Sequence, residues 1–139
     1  MTTSAEQAAA ETYEAWRQAW LSVDKVAMKR LFDPEHPGFT YQAEEAEGAL
    51  HTFEELDGYW DRGAEVLTEV AEWRELSRKL VVEGNIAILF ASLQTTLSLS
   101  FRPTPLEGEV RVSMVMHERD GEWKITHYHE SRRFNPAAV

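Results

Sequence analysis

Near the end of the chain, side chains capable of chemistry crowd together: His117, His127, Tyr128, His129, Glu130 and Arg132. Imidazole titrates near neutrality, so His127 and His129, one residue apart, could form a general acid/base pair. They could also be two ligands of a metal ion completed by His117 or a glutamate. A third possibility is a structural role, as hydrogen-bonded histidines at the edge of the core or of an interface. Glu130 offers a similar choice. Inside an apolar cavity its pKa would rise toward the range of a useful base, whereas in water it would pair with Arg132. Tyr41 and Tyr13 are phenols that can donate to a ligand oxygen or serve as core residues with a wet hydroxyl. Trp16, Trp60, Met114 and Tyr128 supply aromatic and adaptable apolar surface, as core or as pocket wall.

Other chemistries are excluded by what the chain lacks. It has no cysteine, which removes disulfides, thiolate metal sites and a cysteine nucleophile. It has no glycine-rich phosphate loop, no nucleophile elbow and no zinc-helix motif, so no cofactor is expected. With only two histidines in register, no tightly bound metal is expected either. Lys and Arg number 14 against 24 Asp and Glu, a formal charge of −10. The basic clusters Ser-Arg-Arg-Phe at 131–134 and Arg-Lys-Leu at 78–80 are short, which argues against nucleic acid and anionic membranes as partners. No stretch approaches the ~20 apolar residues of a membrane span. The first residues lack the basic and apolar regions of a signal peptide. A soluble, cytoplasmic protein is expected.

The elements that would position these residues follow from periodicity. The 139 residues suit one domain, 1–139. Ala9, Tyr13, Trp16 and Trp20 recur at helical spacing and define a first helix. Asp24 can cap a short second helix carrying Val26, Met28, Leu31 and Phe32, which Asp33-Pro34 to Pro37-Gly38 would end. Phe39 to Gln42 reads as a short strand. Thr52 and Glu55 form a capping box for a third helix with the stripe Phe53, Leu56, Trp60, Gly63 and Leu67. Beyond it the period falls to two, over 68–82, 86–101, 109–119 and 122–132. Glu83-Gly84-Asn85, Arg102 to Gly108, and Asp120-Gly121 supply the turns. Helices followed by a run of strands predict an α+β fold, with helices covering one face of a curved antiparallel sheet. Such a cone can hold a pocket. In the strand 86–101, Ile86, Ile88 and Phe90 lie on one face, with Leu89, Leu93 and Leu97 on the other. One face can pack on the helices, and the other predicts a partner, hence a homodimer.

This order of elements, the segment GALHTFEELDGYW at 48–60 and the segment HERDGEWKITHYHES at 117–131 resemble the nuclear transport factor two-like superfamily. Within it the likeness is to SnoaL-like domains and to the association domain of calcium/calmodulin-dependent protein kinase two. Members of both groups tend to end in a Gly-x-Trp strand with a His-x-His-x-Ser tail, as Gly121, Trp123, His127, His129 and Ser131 do here. The resemblance implies a cystatin-like cone-shaped barrel, commonly a sheet-packed homodimer. It also implies a range of roles: isomerases, polyketide cyclases, dehydratases, epoxide hydrolases, binding modules and scaffolds.

Two catalytic plans of that superfamily are missing their residues. No carboxylate sits on Phe39 to Gln42, where the steroid-isomerase-like members carry a base, and no Asp-Arg-Asp set can be assembled for epoxide hydrolysis. Met114 and Glu130 stand where the association domain carries arginine, which implies a more apolar pocket. By the same comparison Tyr128 and Glu130 face the pocket while the histidines face away. Strict alternation puts Trp123, Ile125, His127, His129 and Ser131 on one face, and Thr126, Tyr128 and Glu130 on the other.

The expected function is binding of a small organic molecule in an aromatic, apolar pocket lined by Tyr13, Trp16, Trp60, Met114 and Tyr128. The alternative is a cofactor-free cyclase or isomerase working by proton transfer, with Glu130, Tyr41, His127 and His129 as its candidate catalytic residues. A dimeric interaction or scaffold module is a further alternative.

Overall fold

The computed structural model describes residues 3–134. The chain runs α1 (Ser4–Leu21), α2 (Lys25–Lys29), β1 (Thr40–Gln42), α3 (Phe53–Val66), β2 (Leu67–Glu83), β3 (Ile86–Leu99), β4 (Leu106–Arg119) and β5 (Glu122–Arg132). Each helix begins at a side-chain cap that satisfies a backbone N–H left over in the first turn. Thr3 accepts from Glu6, Asp24 from Ala27 and Thr52 from Glu55. The Glu55 carboxylate reaches back to the Thr52 hydroxyl and the His51 N–H, completing the box.

The five strands form one open, curved sheet in the order β1-β5-β4-β3-β2. The four long strands are an antiparallel meander. β1 departs from the antiparallel expectation: it adds to the edge at β5 in parallel, pairing Thr40 with His127 and Gln42 with His129. The reversals use residues that tolerate positive φ. Asp120 and Gly121 have φ of 55° and 82°, the Asp-Gly pattern of a tight hairpin turn.

The expected strict alternation along β5 does not hold. Val115 pairs with His127 but Met116 pairs with Ile125, so Thr126 is an extra residue in β5. This bulge shifts the pleat by one position. Trp123 and Ile125 therefore turn inward with Tyr128 and Glu130, while His127 and His129 turn out. The Thr126 hydroxyl meets His117 Nδ1 at 2.8 Å and the Val115 carbonyl at 3.3 Å, which satisfies polar groups that the bulge would otherwise leave bare.

The core lies between the concave face of the sheet and the helices. Ala87, Leu89, Ala91 and Leu93 of β3 and Val110, Val112, Met114 and Met116 of β4 belong to one buried cluster with Ala9, Tyr13 and Trp16 of α1. Each large apolar side chain buried this way contributes roughly 1.5–3 kcal/mol. Across the sheet, Ile88 and Phe90 remain 56% and 47% exposed.

Candidate functional site

The centre of the cone is filled with rings. Trp16 lies 5.7 Å from Tyr13, 5.6 Å from Trp73 and 5.9 Å from Tyr128, centroid to centroid. Tyr41 of β1 stacks on Tyr128 at 4.5 Å, with ring planes 7° apart. The parallel pairing of Tyr41 with Tyr128 sets this stack, because paired residues point to the same side of a sheet. Met114, the β4 partner of Tyr128, is also fully buried.

Beyond the rings the cone stays open, in a cavity of about 350 Å³. Its helical wall is Trp20 from the end of α1, with Tyr59, Trp60, Gly63 and Val66 from α3. The sheet contributes Leu67, Trp73, Leu97, Leu99 and Leu106, and Phe101 and Arg102 stand in the turn between β3 and β4. Glu44 and Glu45, in the loop after β1, and Glu130 of β5 complete the lining. Trp20 stacks on Trp73 at 4.3 Å and meets Trp60 edge-on at 5.1 Å, so three indoles form one continuous surface. An added Cβ at Gly63 would meet nothing within 4 Å, so this helix leaves space where a side chain would otherwise stand.

Glu130 is the one deeply buried carboxyl of this lining, 5% exposed. Its Oε2 accepts from the Tyr128 hydroxyl at 2.5 Å, and its Oε1 accepts from the Glu44 backbone N–H at 3.2 Å. Residues two apart on a strand share a face, so β5 alone aligns donor and acceptor. Burial pushes the Glu130 pKa up to about 7; the Tyr128 hydrogen bond opposes the rise, and the Glu44 carboxylate adds to it. Burial and the charge of Glu130 hold the Tyr128 phenol well above its ordinary range, so it keeps its proton and donates. The two acids of the loop have their own partners. Arg132 Nε donates to Glu44 at 2.7 Å, and the Tyr59 hydroxyl donates to Glu45.

The candidate residues read from the sequence therefore separate into three groups. Glu130 and Trp60 stand in the cavity wall. Tyr13, Trp16, Tyr41, Met114 and Tyr128 are buried behind it, because their rings and thioether fill the middle of the cone. The Tyr41 hydroxyl finds no hydrogen-bond partner among the described residues. His127 and His129 are exposed on the opposite side of the sheet, away from Glu130. His117, the possible third ligand, is turned to Thr126 and to the ring of His36, 4.3 Å away. No group of three His, Cys, Asp or Glu side chains among the described residues is arranged to hold a metal ion.

Sequence reasoning missed Glu44, Glu45 and Tyr59 as site residues, and did not include Trp20 and Trp73 among the pocket residues it chose. The acids had a signal, a Glu-Glu pair directly after a strand that carries a buried tyrosine. That the loop folds back over β5 depends on the Glu44–Glu130 and Glu44–Arg132 contacts, 86 and 88 residues apart in sequence.

No curated protein matches the chain by sequence. Solved structures share its fold at low identity. A nuclear transport factor 2-like superfamily protein from Salmonella enterica is 16% identical with a TM-score of 0.80, covering 95% of this chain and 93% of its own. A candidate dehydratase of the same superfamily from Streptomyces avermitilis has a TM-score of 0.80 at 12% identity, covering 93% and 96%. A Caulobacter vibrioides protein with a cystatin-like fold has a TM-score of 0.77 at 13% identity, covering 98% and 94%. The open curved sheet, the helices over its concave face and the match of residues 9–135 to the family's sequence pattern agree: the chain belongs to the SnoaL-like domain family.

Proposed function

We propose that this protein binds a small, largely apolar organic molecule in the cavity between α3 and the sheet, with Glu130 as its polar anchor. The observation that carries this reading is the cavity itself: about 350 Å³ of space walled by indoles and leucines, with a buried carboxyl in its lining. That size lies at the small end of ligand sites, where a few placed polar groups fix orientation within an apolar wall. Three lining tryptophans make intrinsic fluorescence the direct readout. A panel of small aromatic compounds should give saturable changes, and Gly63→Leu should abolish them by occupying the space. This substitution sits inside a helix, where leucine is the better helix former, so the fold should survive it. Absence of saturable binding, or binding unchanged in Gly63→Leu, refutes the reading.

One observation favours a second reading, proton-transfer catalysis without a cofactor. A carboxyl with its pKa near 7 exists in both protonation states at neutrality, where a general base works best. Under this reading Glu130 is the catalytic residue, taking a proton from the bound molecule, and Tyr128 positions it. The Streptomyces neighbour, a candidate dehydratase, is in keeping with such chemistry on this fold.

The outer face of the sheet supports pairing of two copies of the chain. Ile86, Ile88 and Phe90 of β3 are joined there by Val81 of β2, and all four are exposed. Apolar surface of this kind on the outer face of a sheet marks an interface more often than a free surface.

A further inference from the structure

We propose that the cavity takes an organic cation: an apolar body bearing a protonated amine or quaternary ammonium group, its charge held between Glu130 and the indole wall. The proposal rests on the reading of the cavity as a ligand site and adds the class of ligand.

The charges around the cavity carry the inference. Three carboxylates line it, those of Glu44, Glu45 and Glu130, against a single lining cation, Arg102, beside the exposed Phe101. Glu44 is matched by Arg132 at 2.7 Å, and Glu45 accepts the Tyr59 hydroxyl. Glu130 has only a phenol and a backbone N–H, and neither carries charge. An ionised carboxylate this deeply buried needs a counter-charge to be stable, and no lysine or arginine of the described residues makes an ion pair with it. A ligand cation would supply one.

The wall chemistry points the same way. Trp20, Trp60 and Trp73 form one continuous indole surface, and indole faces attract cations more strongly than any other side-chain ring. Leucine would serve an apolar ligand as well, and would do nothing for a charge. An anionic ligand would meet three carboxylates. The chain's formal charge of −10 also draws cations toward the protein over a longer range.

Protonation of Glu130 should compete with such a ligand. The ionisable groups around this carboxyl are Tyr128 and Arg132 on β5, Tyr41 on β1, Glu44 and Glu45 in the following loop, Tyr59 on α3, and Arg102 in the β3–β4 turn. The wall from α1, β2, β3 and β4 carries no charged side chain. Glu130 changes charge near neutrality, at a pKa of about 7. A bound cation favours the ionised form, so its affinity rises with pH through that value and levels off above it.

The test compares phenyltrimethylammonium with its uncharged carbon isostere, tert-butylbenzene, by tryptophan fluorescence on the full chain at low salt. At pH 8.5 the cation should bind at least tenfold more tightly than the isostere, in keeping with one desolvated cation–π contact plus a counter-ion. Between pH 8.5 and pH 6 the cation should lose about tenfold in affinity, as Glu130 goes from mostly ionised to mostly protonated, while the isostere should not change. Glu130→Gln should reduce the preference and remove its pH dependence. If that variant does not fold, the pH dependence of the unaltered protein decides alone. Equal affinity for the two probes, or a cation preference independent of pH and of Glu130, overturns the inference and leaves the binding site standing. No saturable signal from either probe in the unaltered protein overturns the binding reading and this inference together.

Discussion

Along β5, Tyr128 and Glu130 alternate with His127 and His129, so one strand presents two faces with opposite chemical fates. By residue type the histidines are the more reactive pair, since imidazole titrates near neutrality without help. They stand exposed on the outer face. The glutamate is an ordinary acid by type, yet burial moves its pKa up to about 7 against the pull of the Tyr128 hydrogen bond, close to where a free histidine titrates. The chemistry of this strand is thus set by which face a residue occupies more than by what the residue is. That assignment hangs on the extra residue at Thr126, where one position more or less would exchange the faces.

The comparison breaks first, and by the largest factor, if activity follows the outer face. Should the protein catalyse proton transfer, Glu130→Gln keeps the shape of the inner face and deletes the base. Turnover should fall roughly two to four orders of magnitude, the usual worth of a positioned general base. The double change His127→Ala and His129→Ala should leave turnover within about twofold. Steady-state kinetics giving the reverse pattern would move the site to the other side of the sheet.

The inner face should also govern how stability varies with pH. Glu130 holds its proton more tightly in the folded chain, at a pKa of about 7, than at its ordinary value of 4.5. Its contribution is therefore full below about pH 4.5 and lost as pH rises through 7. The gap between the two values converts to about 3 kcal/mol. Urea midpoints measured from pH 4.5 to 8 should fall across this window, and Glu130→Gln should flatten the fall. An unchanged slope in that variant would mean the carboxyl is better solvated than its burial indicates.

On the outer face the expected effect is on association. Ile88, between Val81 and Val115 on neighbouring strands, lies in the middle of the apolar patch. Light scattering at micromolar concentration should give a dimer of the 16.0 kDa chain, and Ile88→Lys should weaken it at least tenfold, because a buried lysine without a partner opposes pairing. A monomeric unaltered protein would leave this patch without its proposed role.

Much of the fold was legible because its signals are local. The caps at Asp24 and Thr52, the aromatic stripe of α1 and the Asp-Gly turn each act within a few residues. The orientation of Glu130 followed from the family resemblance and not from its spacing. Long-range geometry was not legible. β1 joins β5 in parallel across most of the chain length, and nothing in Phe39 to Gln42 announces its partner. The bulge at Thr126 leaves no mark in a run of alternating residues. The cavity lies one layer away from most of the residues chosen for it, Glu130 and Trp60 excepted. Trp16, Met114 and Tyr128 are buried, because side chains that large fill the centre of a cone, and the space opens where α3 ends in Gly63 and Val66.

The finest division within the inner face is between two stacked phenols. Tyr41 and Tyr128 are both essentially inaccessible, and their rings lie nearly parallel at 4.5 Å. One hydroxyl donates to Glu130 at 2.5 Å, and the other has no partner among the described residues. Removing a donor from a buried carboxylate costs about 1.5–3 kcal/mol, whereas removing an unpaired buried hydroxyl relieves a desolvation penalty and leaves the ring in place. Tyr128→Phe should thus destabilise the protein most above pH 7, where Glu130 is ionised, and raise the pKa of Glu130 further, since that hydrogen bond now holds it down. Tyr41→Phe should change stability by less than about 1 kcal/mol, toward gain, at every pH. Matched urea titrations of the two variants at pH 6 and pH 8 separate them. If Tyr41→Phe costs as much as Tyr128→Phe, its hydroxyl has a partner in solution, and an ordered water between Tyr41 and the site becomes the first place to look.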